Sequence, residues 1–260
     1  MKDFKGKKIA ITRPIERSQE AVKIIEDYGG TVLVAPTLEL VITNTQPLKE
    51  LCRMAGELDW LIFTSPTAIL SLFKHCKDLK DRLNPQCQIA VIGPRTGKYL
   101  KEHGLKADII PDDYTAEGLL EIFQDVDVEN KNIGLPRTLA ARHVLPDGLK
   151  DRGANVFLVE AYKSDLPLNR GKVNELVRSI INREVDAVTF TSTLTASNLF
   201  EMVEGEDKEK LVEPLRNGEV LVAAIGPVTA KALEKYDIPT ITPDEYTVKA
   251  MLYRLREEMD

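Results

Sequence analysis

Residues Ala90–Leu100 read AVIGPRTGKYL, and residues Ala223–Leu233 read AAIGPVTAKAL. Seven of the eleven positions are identical, where unrelated segments share roughly one. In each copy an apolar run ends and a glycine, Gly93 or Gly226, turns the chain. A proline then takes the first helical position, where its missing N–H had no helical partner anyway. Thr96 and Thr229 follow two residues after that proline. A second pair of stretches, FTSPTA from Phe63 and FTSTLT from Phe190, has the same grammar. Thr64–Ser65 and Thr191–Ser192 close an apolar run, with the serine at an N-cap position. Helix starts of this kind offer unpaired amide N–H groups and a positive dipole end, which suit carboxylates or phosphates. The hydroxyls of Thr64, Ser65, Thr96, Thr191, Ser192 and Thr229 add adaptable hydrogen bonds. Serine, threonine and proline at a helix start are most often caps and nothing more. Recurrence of both stretches in one chain argues for a ligand as well.

Three further side chains invite chemistry. Arg13, in ITRP, and Arg137, in LPRT, each close a strand-like run. Such an arginine either grips a carboxylate as a fork or makes a surface ion pair. Tyr162 lies in an extended passage, where its phenol either faces a cleft or packs. The paired acids Asp112–Asp113 and Asp244–Glu245 precede helix starts and read as structural, since negative charge suits a first turn. GxGxxG, GxxxxGK[ST] and GxSxG are all absent. The strand WLIF ends in Thr64 and Ser65 rather than in a phosphoacceptor acid.

The elements that carry these groups alternate. KIAIT, TVLVAP, WLIFT, QIAVIG and ADIIP read as strands. SQEAVKIIEDYG, LKELCRMAGEL, PTAILSLFKHC, RTGKYLKEHG and TAEGLLEIFQD read as helices. The strands are continuous apolar runs, the pattern of parallel strands covered on both faces. An α/β architecture follows. The second half repeats the programme: Asp59 answers to Asp186, Gly93 to Gly226, Tyr114 to Tyr246 and, more weakly, Arg13 to Arg137. A period near 130 residues is a domain duplication rather than a solenoid repeat. Helix starts at the carboxyl ends of parallel strands border the crevice where open α/β sheets bind ligands. Two such domains facing each other would make a cleft for a large polyanion.

The bulk numbers are those of a soluble globular protein: 260 residues, 43% hydrophobic, 29% charged, net charge −6. A basic domain, the usual mark of a nucleic-acid binder, is missing. No stretch approaches a membrane span or the apolar core of a signal peptide. Cys52, Cys76 and Cys87 form no CxxC, so no disulfide or zinc site is expected and a reducing cytoplasm fits. The three histidines are scattered and make no metal spacing.

The TRP after the first strand, the FTSP strand end, the paired IGPxT phrases and the passage from Tyr162 to Pro167 stand in an order that resembles the uroporphyrinogen-III synthase family over nearly the whole chain. The resemblance implies two flavodoxin-like parallel-sheet domains joined by a two-stranded connection. Residues 1–36 plus 168–260 would form one domain and 40–162 the other, with crossings near 37–39 and 163–167. It implies closure of hydroxymethylbilane, a linear tetrapyrrole with eight carboxylates, to uroporphyrinogen III. Water is lost and the last pyrrole is inverted through a spiro intermediate. No metal or organic cofactor is implied, and a cytoplasmic monomer binding neither nucleic acid nor membrane is expected. The family's site tyrosine maps to Tyr162, and its hydroxyl and amide contacts to Thr64, Ser65, Thr96, Ser192 and Thr229. Val228 and Thr193 depart from some relatives, which carry a hydroxyl and a proline there. The rival reading is a two-domain α/β sensor without catalysis.

Overall fold

The computed structural model describes residues 3–259. The elements run β1 (Lys8–Ile11), α1 (Gln19–Asp27), β2 (Thr31–Val34), β3 (Glu39–Ile42) and α2 (Gln46–Arg53). Then come β4 (Trp60–Phe63), α3 (Pro66–His75), α4 (Leu79–Arg82), β5 (Gln88–Val91), α5 (Pro94–Glu102) and α6 (Ala116–Phe123). Next are β6 (Asn132–Arg137), α7 (Val144–Lys150), β7 (Asn155–Glu160), β8 (Tyr162–Asp165) and α8 (Gly171–Ile181). The chain closes with β9 (Ala187–Phe190), α9 (Thr193–Glu201), α10 (Glu206–Arg216), β10 (Leu221–Ala224), α11 (Pro227–Glu234) and α12 (Val248–Glu258). None of these helices is long and apolar enough to cross a membrane among the described residues.

The chain divides into two compact units, Met1–Glu39 with Asp165–Asp260 (unit 1) and Leu40–Ser164 (unit 2). The divisions fall inside β3 and β8, which pair with each other as a two-stranded sheet.

In unit 1 the sheet order is β10-β9-β1-β2, every pair parallel. A bridge from Ala223 to Ile241 adds a fifth position beside β10. Numbered within the unit, this is the flavodoxin order 2-1-3-4-5. In unit 2 the order is β5-β4-β6-β7, again parallel, with a bridge from Ala90 to Ile109 beside β5. Its chain order is 3-2-1-4-5. The spatial pattern is the same, but the chain enters at a different strand: β4 and β5 answer to β9 and β10, and β6 and β7 to β1 and β2. ADIIP thus yields a single bridge at Ile109 rather than a strand.

Both sheets are covered on two faces, and successive residues point to opposite sides. In β4 Leu61 and Phe63 join one core with Leu48, Leu72 and Leu100, while Trp60 and Ile62 join another with Phe123, Leu145 and Leu149. In unit 1, Ala10, Val188 and Phe190 pack with Leu176, Leu199 and Leu211. Ile9, Ile11 and Ala187 pack with Ile25, Met251 and Leu255.

One expectation is corrected. Cys52 and Cys76 form a disulfide with a Cα–Cα separation of 5.8 Å. Cys52 is in the last turn of α2 and Cys76 caps the end of α3. Both line the same core cluster, which brings the helix ends together. A separation of 24 residues spells no motif, so the pairing is made by packing alone. Cys87 is free, and burial with the nearby charges of Asp59 and Asp108 pushes its thiol up to about 12.

Candidate active site

In each sheet the chain leaves two adjacent strands in opposite lateral directions, β4 and β6 in unit 2 and β9 and β1 in unit 1. Ligands of open α/β sheets sit at the carboxyl side of such a switch point. The groups found there in unit 2 are Thr64, Ser65 and Arg137; in unit 1 they are Thr191, Ser192 and Arg13. The Gly93 and Gly226 corners lie one strand further along.

Ser65 and Ser192 are N-caps. Ser65 Oγ accepts the Ala68 N–H at 3.2 Å, and Ser192 Oγ accepts that of Thr195 at 3.2 Å. Ser192 N–H also donates to Thr195 Oγ1, which completes a capping box without the proline found in the first copy. Each serine is thereby occupied by its own helix, while Thr64 and Thr191 are half-buried beside it. At the other corners Gly93 and Gly226 occupy the N-cap with no side chain to cap α5 or α11. The first amides of those helices therefore have no local acceptor of that kind. Thr96 and Thr229 are buried one turn in.

Arg137 ends β6 and Tyr162 opens β8, and the intervening link is the Ala161 N–H, which donates to the Arg137 carbonyl at 2.9 Å. Arg137 is 6% exposed and donates to the Arg142 carbonyl at 3.2 Å. Burial draws its guanidinium below the usual range, against the opposing pull of Tyr162. The Tyr162 ring is 5% exposed and packed in the unit 2 core. Arg13 is half-buried just past β1.

Repetition also marks structural residues. Asp59 accepts the Asn132 N–H at 2.8 Å, and Asp186 accepts the Lys8 N–H at 2.8 Å. Both tie neighbouring strands at the end of the sheet away from the candidate groups. Two buried latches are less legible in the sequence. Ser71 on α3 donates to the Ala161 carbonyl at 2.5 Å, and Asn198 on α9 donates to the Thr37 carbonyl at 2.8 Å. They are equivalent between the copies, yet serine and asparagine read as ordinary polar positions on a helix. Only the alignment of the two copies could have pointed to them.

A family description, Uroporphyrinogen-III synthase HemD, matches residues 19–253. A protein of Methanothermobacter thermautotrophicus, provisionally named uroporphyrinogen-III synthase, is 49% identical over 251 residues, 96% of this chain and 98% of its own. The uroporphyrinogen-III synthase of Synechococcus elongatus is 28% identical over 259 residues, covering 97% and 95%. Among solved structures, uroporphyrinogen-III synthetase from Helicobacter pylori is similar in fold, with a TM-score of 0.61 at 20% identity over 98% and 100% of the chains.

Proposed function

This chain belongs to the uroporphyrinogen-III synthase family, and we propose that the strand-end groups described above bind and close its substrate. The reaction is the cyclisation of hydroxymethylbilane with loss of water and inversion of the last pyrrole, a lyase step of tetrapyrrole synthesis. The family match over residues 19–253 carries this reading and disfavours a non-catalytic sensor.

A bilane needs little covalent help. Its hydroxymethyl carbon gives up the hydroxyl readily, and the chain closes unaided to the uninverted isomer. Catalysis is then mostly a matter of holding one folded conformation and stabilising charge as the hydroxyl departs. The amides at the Gly93 and Gly226 corners, the hydroxyls of Thr64, Thr96, Thr191 and Thr229, and the cations of Arg13 and Arg137 are suited to carboxylates. Ser65 and Ser192 fix the starts of α3 and α9 beside Thr64 and Thr191. Tyr162 hydrogen-bonds the departing hydroxyl and helps to protonate it. Support comes from the Ala161 hydrogen bond that ties the Tyr162 strand to Arg137 and from the duplicated corners.

Incubating freshly made hydroxymethylbilane with the protein and separating the porphyrin isomers after oxidation tests the function. Type III is expected with the protein and type I without it. Type I in both arms refutes the reading.

A further inference from the structure

Each unit carries one large exposed aromatic at the same place. Tyr114, in DDYT, is 59% exposed, and Tyr246, in DEYT, is 64% exposed. They stand between the bridge at Ile109 or Ile241 and the start of α6 or α12. The loops that bear them are fastened. Thr115 N–H donates to the Asp113 carbonyl at 2.7 Å, and Thr115 Oγ1 donates to Asp113 Oδ2 and accepts from Gly118 N–H. Thr247 N–H donates to the Glu245 carbonyl at 2.7 Å, and Thr247 Oγ1 accepts from Ala250 N–H.

Each ring lies against the glycine of its own corner. A Cβ on Gly93 would stand 3.3 Å from Tyr114, and one on Gly226 would stand 3.0 Å from Tyr246. Both glycines have φ of 179°, which any residue adopts, so the ring and not the backbone crowds a side chain there. Burial does not explain the tyrosines, because more than half of each stays in water. Capping does not explain them either, because the neighbouring threonines do that work. The copies have diverged at Arg95 and Val228 and at Pro66 and Thr193, yet both keep the ring and the glycine beneath it.

Exposed apolar side chains elsewhere on the same ends of the sheets narrow the ligand. Ile15, Leu194 and Val228 in unit 1 and Leu139 in unit 2 are exposed at the carboxyl ends of the strands. Sites for small inorganic anions have no use for such a rim. A polycarboxylate strung on flat, electron-rich rings does.

We propose that Tyr114 and Tyr246 are substrate-positioning residues whose rings pack on pyrrole rings of the bilane while the adjacent corner amides take its carboxylates. The inference rests on the synthase reading and adds to it the groups that recognise the ring backbone. Offset or edge-to-face packing is the preferred geometry for such pairs.

The test uses the full chain with hydroxymethylbilane, comparing wild type, Y114A, Y246A, Y114F and Y246F by KM, kcat, isomer ratio and melting temperature. Each alanine variant is expected to raise KM about tenfold with little change in kcat or melting temperature. Each phenylalanine variant keeps KM within about twofold of wild type. G226A, whose Cβ shifts the exposed Tyr246 ring by a few tenths of an ångström, raises KM in the same direction as Y246A but by less, and guards against a folding failure in Y246A. Alanine variants that fold and keep wild-type KM, alongside wild type that forms type III, overturn this inference and leave the synthase reading standing. Phenylalanine variants as impaired as alanine overturn it too, by assigning the effect to the hydroxyl. Wild type that forms only type I removes both.

Discussion

Arg137 and Tyr162 are brought together by one main-chain hydrogen bond, from Ala161 N–H to the Arg137 carbonyl at 2.9 Å. The Ala161 carbonyl in turn accepts from Thr43 N–H and from Ser71 Oγ. Tyr162 is thus set by a backbone held from three sides. Replacing Tyr162 with phenylalanine keeps the packed ring and removes the proton donor. Turnover should fall about 100-fold, the scale of a lost general acid, with the melting temperature little changed. Full turnover in that variant removes Tyr162 from the chemistry. Ser71→Ala deletes one of two bonds to a buried carbonyl and should cost about 1 kcal/mol in urea unfolding. A variant as stable as wild type would show that the latch adds nothing. A chemical role for Tyr162 was implied only by the family resemblance, while Arg137 at the end of a strand-like run and Tyr162 in an extended passage were legible as placements. Ser71 and Asn198 were not, since a lone polar residue on a helix announces no partner 90 or more residues away.

Among the helices at the candidate groups, α3 and α9 are held at their starts by serine caps, and α3 is also tied to α2 at its other end. Proline and serine at the heads of α3 and α5 signalled where those helices begin, and buried strands such as WLIF signalled a sheet covered twice. Both signals are local, so they survive in sequence. The link between the ends of α2 and α3 depends on how those helices pack, so the cysteines alone gave no hint of it. The disulfide should be visible chemically. In urea without reductant, one thiol per chain should be alkylated, and with reductant three. Three without reductant would mean that the bond is absent. In the folded chain Cys87 should react slowly at pH 8, since a thiol near 12 is thiolate in only about one molecule in ten thousand. Rapid labelling of the native protein would contradict the burial described. Replacing Cys52 and Cys76 together by alanine should cost about 3 kcal/mol on the loop-entropy account. Urea unfolding of that double variant measures the loss directly.

At the scale of the molecule, one fold occurs twice with its chain entry shifted, and its two stretches match with different strength. The strong matches link β4–β5 to β9–β10, where the Gly–Pro corners lie. The weak one links β1–β2 to β6–β7, where little besides the arginine and the apolar runs is shared. Duplication and fold class were therefore legible as pattern, while the shifted order needed the sheet itself. Functionally, two copies of one donor-lined corner suit a ligand that is itself a chain of similar rings. The protein's contribution on this account is orientation, so that the last pyrrole closes through its far α-carbon. That claim can be tested by labelling the bilane with ¹³C at the bridge between its third and fourth pyrroles and at the fourth-ring α-carbon bonded to it. Inversion through a spiro intermediate breaks that bond, so the porphyrin formed with the protein should lose the direct carbon–carbon coupling in its NMR spectrum. Coupling retained in that product would mean that the ring closed without inversion, and would contradict the account.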